Sequence, residues 1–504
     1  MRFIITENKL IPSHSNEDSL KISEIPSISQ PQINPHFTYN QELQHLLTGK
    51  QILLEDIPHP FEEIHTHYEN GYITYRKGIE YIGKKPICNR CGTKSPKWFA
   101  AYPCARCGET CLYCRKCLMM GRISECTTLI GWNGSEPSYA EMVNNTIQTS
   151  SPEKLLAWQG ALSEGQKAAS NNVVKAIRDN QEYLVWAVCG AGKTEVLFAG
   201  IEAALLAKKR VCIATPRTDV VLELTPRLRE VFPRTTIASL YGGSEDRHLF
   251  APLTIATTHQ LLRFYHAFDT IILDEVDAFP YTVEESLKHA AIQARKPVSA
   301  MIYLTATPNE KWQFECRTGK RAFTTIPARF HRHPLPIPNF SWCGNWQKQL
   351  NKNKLPAIVL NWVKDRIQTG MQSLIFFPHI PLMEKALPIL RQFTPDIVAV
   401  HAADPKRKEK VQMMRSKEIT ILLTTTILER GVTFPNIDVA VVGSEDQIFT
   451  ESALVQIAGR AGRSKDFPKG NVTFFHYGKT EEMVKARKQI MTMNREGVKR
   501  GLID

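Results

Sequence analysis

The stretch Ala187-Val188-Cys189-Gly190-Ala191-Gly192-Lys193-Thr194 follows the apolar run YLVWAV and opens a helical pattern, EVLFAGIEAALLA. A strand, a glycine-bearing turn and a helix in that order place the turn at the carboxyl end of a strand in an α/β sheet. Gly190 and Gly192 let backbone N–H groups approach phosphates. Lys193 supplies a point charge between the terminal phosphates, and Thr194 a hydroxyl for Mg²⁺. Gly190, Ala191, Gly192, Lys193 and Thr194 are therefore the expected cradle for the phosphates of a nucleotide.

About 80 residues later, Asp274-Glu275-Val276-Asp277 ends the apolar run TIIL. A strand would deliver these carboxylates to the mouth of the same sheet, with Asp274 holding Mg²⁺ and Glu275 orienting or deprotonating the attacking water. Phosphoryl transfer asks for little beyond such positioning and charge stabilisation. An acidic tetrapeptide alone is more often a solvated loop; its distance from the phosphate turn and its place at a strand end favour catalysis.

The rest of the chain repeats one architecture. YLVWAVCG, VCIATP, LTIATT, TIILDEVD and AMIYLTAT alternate with helical stretches, and SLIFFP, DIVAVHA, ITILLTTT, VAVVG and NVTFFHY do so again. Short apolar runs between helices predict βαβ units with a parallel sheet buried on both faces. At 504 residues several domains are required. The expected division is a loosely ordered arm over 1–60, a cysteine-rich module over 61–130, a first α/β lobe over 131–326, a linker over 327–350 and a second lobe over 351–504. The arm is rich in Pro, Ser, Asn and Gln; YITYRKGIEYI partly alternates as strands do; a helical pattern runs from Met142 to Asp179; and PARFHRHPLPIP breaks both periods.

Of 12 cysteines, eight lie between Cys88 and Cys126. Cys88/Cys91 and Cys104/Cys107 are each followed by a glycine that lets the backbone fold under a metal, and Cys111, Cys114, Cys117 and Cys126 follow. Tight pairs in a long chain without an export signal read as ligands for structural Zn²⁺ rather than disulfides. Two four-thiolate sites, or one with spare thiols, both satisfy this spacing. A redox-active pair is the rival reading, disfavoured by four C-x-x-C spacings crowded outside any βαβ pattern. Lys94, Lys97, Arg106, Arg115, Lys116 and Arg122, interleaved with Trp98, Phe99, Tyr102 and Tyr113, read equally well as a strand-binding surface or a solvated basic face.

Apolar residues at 43% and charged residues at 22% exclude a disordered chain. The net charge of +13 favours a polyanionic partner without deciding it. Neither a secretory signal nor a run of about 18 apolar residues is present, so no direct membrane insertion is expected.

The order Lys193-Thr194, Asp274 to Asp277, Thr305-Ala306-Thr307 and Gln456-Ile457-Ala458-Gly459-Arg460-Ala461-Gly462-Arg463 resembles superfamily 2 helicases and translocases over residues 155 to 480. Ala187 in place of the first glycine is common in helicase-type ATPases. The resemblance implies two tandem RecA-like parallel-sheet lobes, here preceded by the zinc module, that clamp ATP and Mg²⁺ between them. It assigns adenine reading to Gln166, within the element Trp158 and Leu162 to Gln166. Thr305 and Thr307 would couple nucleotide state to lobe closure, while Gln456, Arg460 and Arg463 would reach the nucleotide from the second lobe. Its strand-contacting motifs fall on Thr215-Pro216-Arg217, Gly242-Gly243 and Thr257 to Gln260, then on Phe377-Pro378, His401 and Thr424 to Val432. Arg217, Gly243, Thr258, His401, Thr425 and Arg430 are the expected contacts to single-stranded DNA, mostly through phosphates.

A cysteine module before the motor, the segment Pro327 to Pro336, His401-Ala402-Ala403-Asp404 and Leu428 to Pro435 resemble the late-competence ComFA family of Gram-positive bacteria from about residue 60 onward. That resemblance implies a cytosolic, DNA-stimulated ATPase that pulls one strand of transforming DNA through the membrane channel ComEC, with ComFC as companion. A replication-restart helicase like PriA is the alternative, although its cysteines interrupt the second lobe. A third reading, a degraded ATPase serving as a clamp, conflicts with the intact Lys193, Asp274, Glu275 and Arg460.

Overall fold

The opening residues pair as short strands. β1 (Arg2–Thr6) and β2 (Lys9–Ser13) are antiparallel with Phe3 opposite Pro12, and β3 (Leu20–Lys21) lies on the other edge of β1. The computed structural model describes residues 2–6, 9–13, 19–138, 154–430 and 434–504. The first part of the helix expected from Met142, and the segment Gly431-Val432-Thr433, lie outside those residues.

The expectation of a loosely ordered arm over 1–60 is corrected, because its described residues fold and bury a core. α1 (Gln41–Leu47) starts at Asn40, whose side-chain oxygen accepts from the N–H groups of Glu42 and Leu43. α1 is followed by β4 (Ile52–Leu53), α2 (Phe61–Glu69) and β5 (Ile73–Lys77). Phe3, Leu10, Ile22, Ile25, Leu43 and Leu47 share one core with Ile64, Tyr68, Tyr75 and Ile130. The Tyr68 hydroxyl donates to the Ser29 carbonyl at 2.9 Å, and Gln30 donates to the carbonyls of Gly71 and Ile73. Irregular chain needs no period to bury isolated isoleucines, so a reading by periodicity passes over it.

The cysteine-bearing segment folds as two small antiparallel pieces. β6 (Ile79–Ile82) pairs with β7 (Lys85–Cys88), and β8 (Phe99–Pro103), β9 (Thr110–Cys114) and β10 (Ile123–Ser124) form a sheet in the order β10-β9-β8. β11 (Thr128–Trp132) then returns between β4 and β5. A boundary at 60/61 would cut that sheet.

α3 (Glu164–Arg178) opens on a capping box: the Gln166 side-chain oxygen accepts from the Ser163 N–H at 2.8 Å, and the Ser163 hydroxyl accepts from the Gln166 N–H at 3.4 Å. The buried apolar runs follow as β12 (Glu182–Ala187), β13 (Val211–Thr215), β14 (Ile237–Leu240), β15 (Leu253–Thr257), β16 (Phe268–Leu273), β17 (Arg295–Thr305) and β18 (Phe323–Ile326), in the sheet order β14-β15-β13-β16-β17-β12-β18. α4 (Lys193–Leu206), α5 (Thr218–Val231) and α6 (Glu285–Ala294) lie between them in sequence. A second sheet comprises β19 (Asn339–Trp342), β20 (Ser373–Phe376), β21 (Ile397–Val400), β22 (Ile421–Thr424), β23 (Asp438–Val442) and β24 (Val472–His476), ordered β19-β24-β23-β20-β22-β21. Its registers are parallel, as the apolar runs predict. β19 falls inside the expected linker, and Trp346 and Leu350 are buried in the second lobe's core with Val359, Phe377 and Ile421. That corrects the linker's end: NFSW is too short to display a period.

The chain divides into two compact units. One comprises Met1–Gly160, Val173–Tyr183 and Phe198–Tyr303; the other comprises Ala161–Asn172, Leu184–Leu197 and Leu304–Asp504. The turn 187–194 and the segment carrying Gln166 thus belong to the same unit as the second sheet. Among the described residues no helix is long and apolar enough to cross a membrane.

One lysine in the first unit is costly. Lys50, between α1 and β4, is 5% exposed, and among the described residues its ammonium reaches only the Arg247 carbonyl, at 3.4 Å. Burial, with Arg210 and Arg263 adding repulsion, pushes its amine down to about 7. The unfolded chain holds that proton to about pH 10.4, so this group's contribution rises with pH between about 7 and 10 and its penalty is complete below that window. Lys50→Met is expected to add about 2–4 kcal/mol at pH 6.5 and markedly less at pH 9.5, read as denaturant midpoints at the two pH values.

Candidate ATP site and cysteine module

The turn after β12 has the form the sequence predicts. Gly190 and Gly192 adopt φ of +81° and +68°, where a side chain is strained, and a Cβ on Gly192 would overlap the Gln166 amide. Lys193 and Thr194 open α4. Gln166 is 1% exposed. Its amide nitrogen donates to the carbonyls of Ala191 at 2.9 Å and Gly192 at 3.3 Å, while its oxygen is held by the Ser163 N–H. Both ends of the amide are engaged by the protein, so the geometry makes Gln166 a brace under the turn. The adenine-reading role is corrected on that ground.

In the same unit, the helix Glu451–Ala458 and the turn after it meet the phosphate-binding turn. The Cys189 thiol donates to the Gln456 side-chain oxygen at 3.0 Å, and Gly459 lies so close to Cys189 that a side chain there would not fit. Arg460, 2% exposed, donates through Nε to the Glu429 carbonyl at 2.9 Å, and Arg463 donates through Nε to the Gly459 carbonyl at 3.1 Å. Thr305 closes β17 and accepts from the Thr307 N–H at 2.9 Å. The Thr307 hydroxyl donates to Ser452 at 2.8 Å, and Arg430 donates to the same Ser452 hydroxyl at 3.2 Å. Thr307 is therefore wired to the helix that carries Gln456.

Arg430 is corrected by that network. At 2% exposure, bonded to Ser452 and 3.4 Å from the Glu429 carboxylate, it sits inside the protein rather than on a surface that could meet phosphates. Thr425 follows β22 at 9% exposure, and His401 follows β21 with Nε2 4.0 Å from Glu384.

The first unit holds the acidic pair. The Asp274 N–H donates to the Ala214 carbonyl at 2.8 Å, carrying the β13–β16 ladder one residue past the strand. The Asp274 carboxylate accepts from the Glu275 N–H at 2.8 Å, and Glu275 sits at φ +54°. A left-handed, non-glycine residue at a strand end is the kind of strain that functional sites hold. Among the expected strand contacts of this unit, Gly243 has φ +82° with open space around it. Arg217 forks onto both carboxylate oxygens of Asp219 at 3.1 and 2.9 Å. Thr258 is 1% exposed, which corrects its placement on a strand-binding surface.

The eight clustered cysteines separate into two tetrads, Cys88, Cys91, Cys114 and Cys117, and Cys104, Cys107, Cys111 and Cys126, with the sulfurs of each within 4.8 Å of one another. Sulfur pairs stand 3.7 Å (Cys88–Cys117), 3.6 Å (Cys91–Cys114), 3.4 Å (Cys107–Cys111) and 3.6 Å (Cys111–Cys126) apart. Zn–S bonds of ~2.3 Å in a tetrahedron put sulfurs ~3.8 Å apart, so both tetrads fit the ion. Hydrogen bonding to Cys114 pushes the Cys88 thiol up and the Cys91 thiol down. The first tetrad is fastened to α6. Gly92 leaves no room for a Cβ against the His289 ring, Gln293 donates to the Asn89 carbonyl at 2.9 Å, and Lys116 pairs with Glu284 at 2.5 Å. Lys116 and Lys97 also lie over the Trp98 ring, so these basic groups are partly committed to the module itself.

Sequence reasoning passed over Arg329. It is 2% exposed and donates to the carbonyls of Gly459 (3.1 Å), Ala461 (2.8 Å) and Gly462. Burial, with Arg463 beside it, pushes its guanidinium down to about 10, so it stays charged.

Known proteins resemble this arrangement piece by piece and as a whole. Residues 31–131 match the model for the competence protein ComFA N-terminal domain, 159–310 that for the type III restriction enzyme res subunit, and 353–465 that for the helicase conserved C-terminal domain. The competence protein ComFA of Bacillus subtilis (strain 168) is 46% identical over 462 residues, 92% of this chain and 97% of that protein. The chain belongs to the ComFA family. The ComFA of Streptococcus pneumoniae (strain ATCC BAA-255 / R6) is 39% identical over 406 residues, 78% of this chain and 90% of that one. The DEAD-box helicase Mss116 bound to ssRNA and UDP-BeF shares the fold at a TM-score of 0.50, with 14% identity over 73% of this chain and 89% of that one. This ComFA-family chain is thus a helicase-like ATPase with two RecA-like lobes, a class that uses ATP with a divalent metal and binds nucleic acid.

Proposed function

We propose that this ComFA-family protein is a DNA-stimulated ATPase that translocates along single-stranded DNA and drives transforming DNA across the cell membrane during competence. The observation that carries the catalytic part is the direct junction of the phosphate-binding turn with the Gln456–Arg463 segment in one unit, through Cys189 and Gln456. Groups from both α/β lobes act, in this reading, on the γ-phosphate, the condition for converting hydrolysis into motion.

In this reading Gly190, Gly192, Lys193 and Thr194 bind the phosphates of ATP, with Ala191 between them and Gln166 as their brace. Thr194 and Asp274 hold Mg²⁺, Glu275 orients the water, and Arg460 and Arg463 offset charge on the transferred phosphoryl group. Thr305 and Thr307 transmit nucleotide state through Ser452. Arg217, Gly243, His401 and Thr425 are the proposed contacts to the strand, which is held mainly by its phosphates. The eight thiolates hold two Zn²⁺ ions. The names of the relatives support a role in competence. ComEC and ComFC are the proposed partners, met at the cytoplasmic face of the membrane without insertion of this chain.

ATP hydrolysis is expected to rise about tenfold or more with single-stranded DNA of mixed sequence, with little preference among sequences. The stimulation should fall steeply between 50 and 200 mM salt, because each neutralised phosphate releases a counterion. Phosphate release with and without the strand, at several salt concentrations, checks this. Hydrolysis indifferent to DNA removes the translocase reading, and strong unwinding of a forked duplex transfers the chain to replication restart.

A further inference from the structure

Arg329 touches two parts of the hydrolytic machinery. Three of its hydrogen bonds run to Gly459, Ala461 and Gly462. Gly459 caps the helix Glu451–Ala458 and Ala461 and Gly462 lie in the turn after it, so the acceptors are backbone carbonyls, and no carboxylate pairs with Arg329 among the described residues. Burying a guanidinium without a counterion is compensated only by such a ring of acceptors. The other face of Arg329 meets the phosphate-binding turn. A Cβ on Gly190 would lie 3.6–3.7 Å from its Cγ, Cδ and Nε, and the next residue, Phe330, donates its N–H to the Gly190 carbonyl at 3.2 Å. His331 adds a contact at 3.1 Å to the Gly462 carbonyl. Arg463 shares the Gly459 carbonyl with Arg329, so the direction of that arginine depends on the same acceptor.

We infer that Arg329 is a positioning residue for ATP hydrolysis: it sets the phosphate-binding turn and the Arg460–Arg463 turn in register, and so aims Arg463 without itself meeting the nucleotide. The inference rests on the ATPase reading above. A planar fork is needed because carbonyls at three residues must be reached from one buried atom group. A lysine of similar length offers one nitrogen and reaches fewer of them. Ground-state binding of ATP, by contrast, depends on Lys193 and the turn's own N–H groups, which Arg329 does not supply.

The test uses the full chain with Mg²⁺, ATP and single-stranded DNA, comparing wild type with Arg329→Gln, Arg329→Lys, Arg463→Ala and the double variant Arg329→Gln/Arg463→Ala. Arg329→Gln is expected to lower kcat at least about tenfold with KM for ATP, and affinity for a fluorescent ADP, within about twofold. Arg329→Lys should recover part of the loss, and Arg329→Gln should add less than about twofold to the defect of Arg463→Ala, since both remove one function. Unchanged kcat in Arg329→Gln, a proportional rise in KM, or losses that multiply in the double variant would each overturn the inference. Should the Gln variant melt below the assay temperature, the split between kcat and KM is read on the Lys variant, with about a fivefold kcat loss expected. A wild-type chain that hydrolyses no ATP refutes the ATPase reading instead.

Discussion

Glu275→Gln is expected to leave ATP bound and to cut its hydrolysis by about a hundredfold or more, the effect of deleting one group that acts only in the transition state. The reason is local. Glu275 follows the last residue of the β16 ladder, its N–H is tied to the Asp274 carboxylate at 2.8 Å, and its backbone is held at φ +54°. Those restraints fix the origin of the side chain whatever the side chain is, so an amide keeps the position and loses the charge that water activation needs. Lys193→Ala should behave differently. Removing the point charge beside the terminal phosphates weakens ATP binding and hydrolysis together, because that charge serves ground state and transition state alike. Phosphate release and nucleotide titration on both variants separate the two effects. Near-wild-type turnover by Glu275→Gln would remove that residue from the chemistry.

These groups were legible in the sequence because each is announced by its immediate neighbours. An apolar strand, a turn residue and a helix occupy consecutive positions around Gly190 to Thr194, and TIIL delivers Asp274 in the same way. Most strands of the two parallel sheets were legible for the same reason, whereas β14, β18 and β19 were not among the apolar runs. Arg329 was not. It lies in a proline-broken segment with no period, and its partners are carbonyls 130 to 133 positions away, which no side-chain pattern can display. Arg430 and Thr258 failed in the opposite sense: their place in the order of motifs was readable, whereas their burial depends on tertiary packing that propensity does not carry. The first 60 residues looked loose because irregular chain that buries Ile22 and Ile25 has neither the 2.0 nor the 3.6 period. The cysteines pointed to a metal module but not to its pairing, since the two tetrads interleave: the β8–β9 hairpin sets Cys104, Cys107 and Cys111 between Cys91 and Cys114, and the fourth member, Cys126, follows Cys117.

That interleaving makes the effect of metal loss unequal between the two tetrads. Purified chain should carry two zinc ions, one per tetrad, and Cys114→Ser and Cys111→Ser should each remove one, counted by metal analysis of the intact protein. Structural zinc contributes folding free energy on the order of 10 kcal/mol in small modules, far more than the few apolar contacts of β8 to β10 could replace. Cys114→Ser is expected to have the larger consequence. Cys88, Cys91, Cys114 and Cys117 are at most 1% exposed, and they hold the knuckle whose Gly92, Asn89 and Lys116 fasten it to α6 through His289, Gln293 and Glu284. Cys107 of the other tetrad is partly exposed, so that site lies at the module's edge. Loss of the first ion should therefore lower Tm by about 10 °C or more and loosen α6, read as increased amide exchange over Glu285–Ala294. Loss of the second should lower Tm by only a few degrees and leave that helix protected. Equal shifts in Tm with α6 protected in both variants would mean that the first tetrad stabilises only its own module and does not brace the lobe beside it.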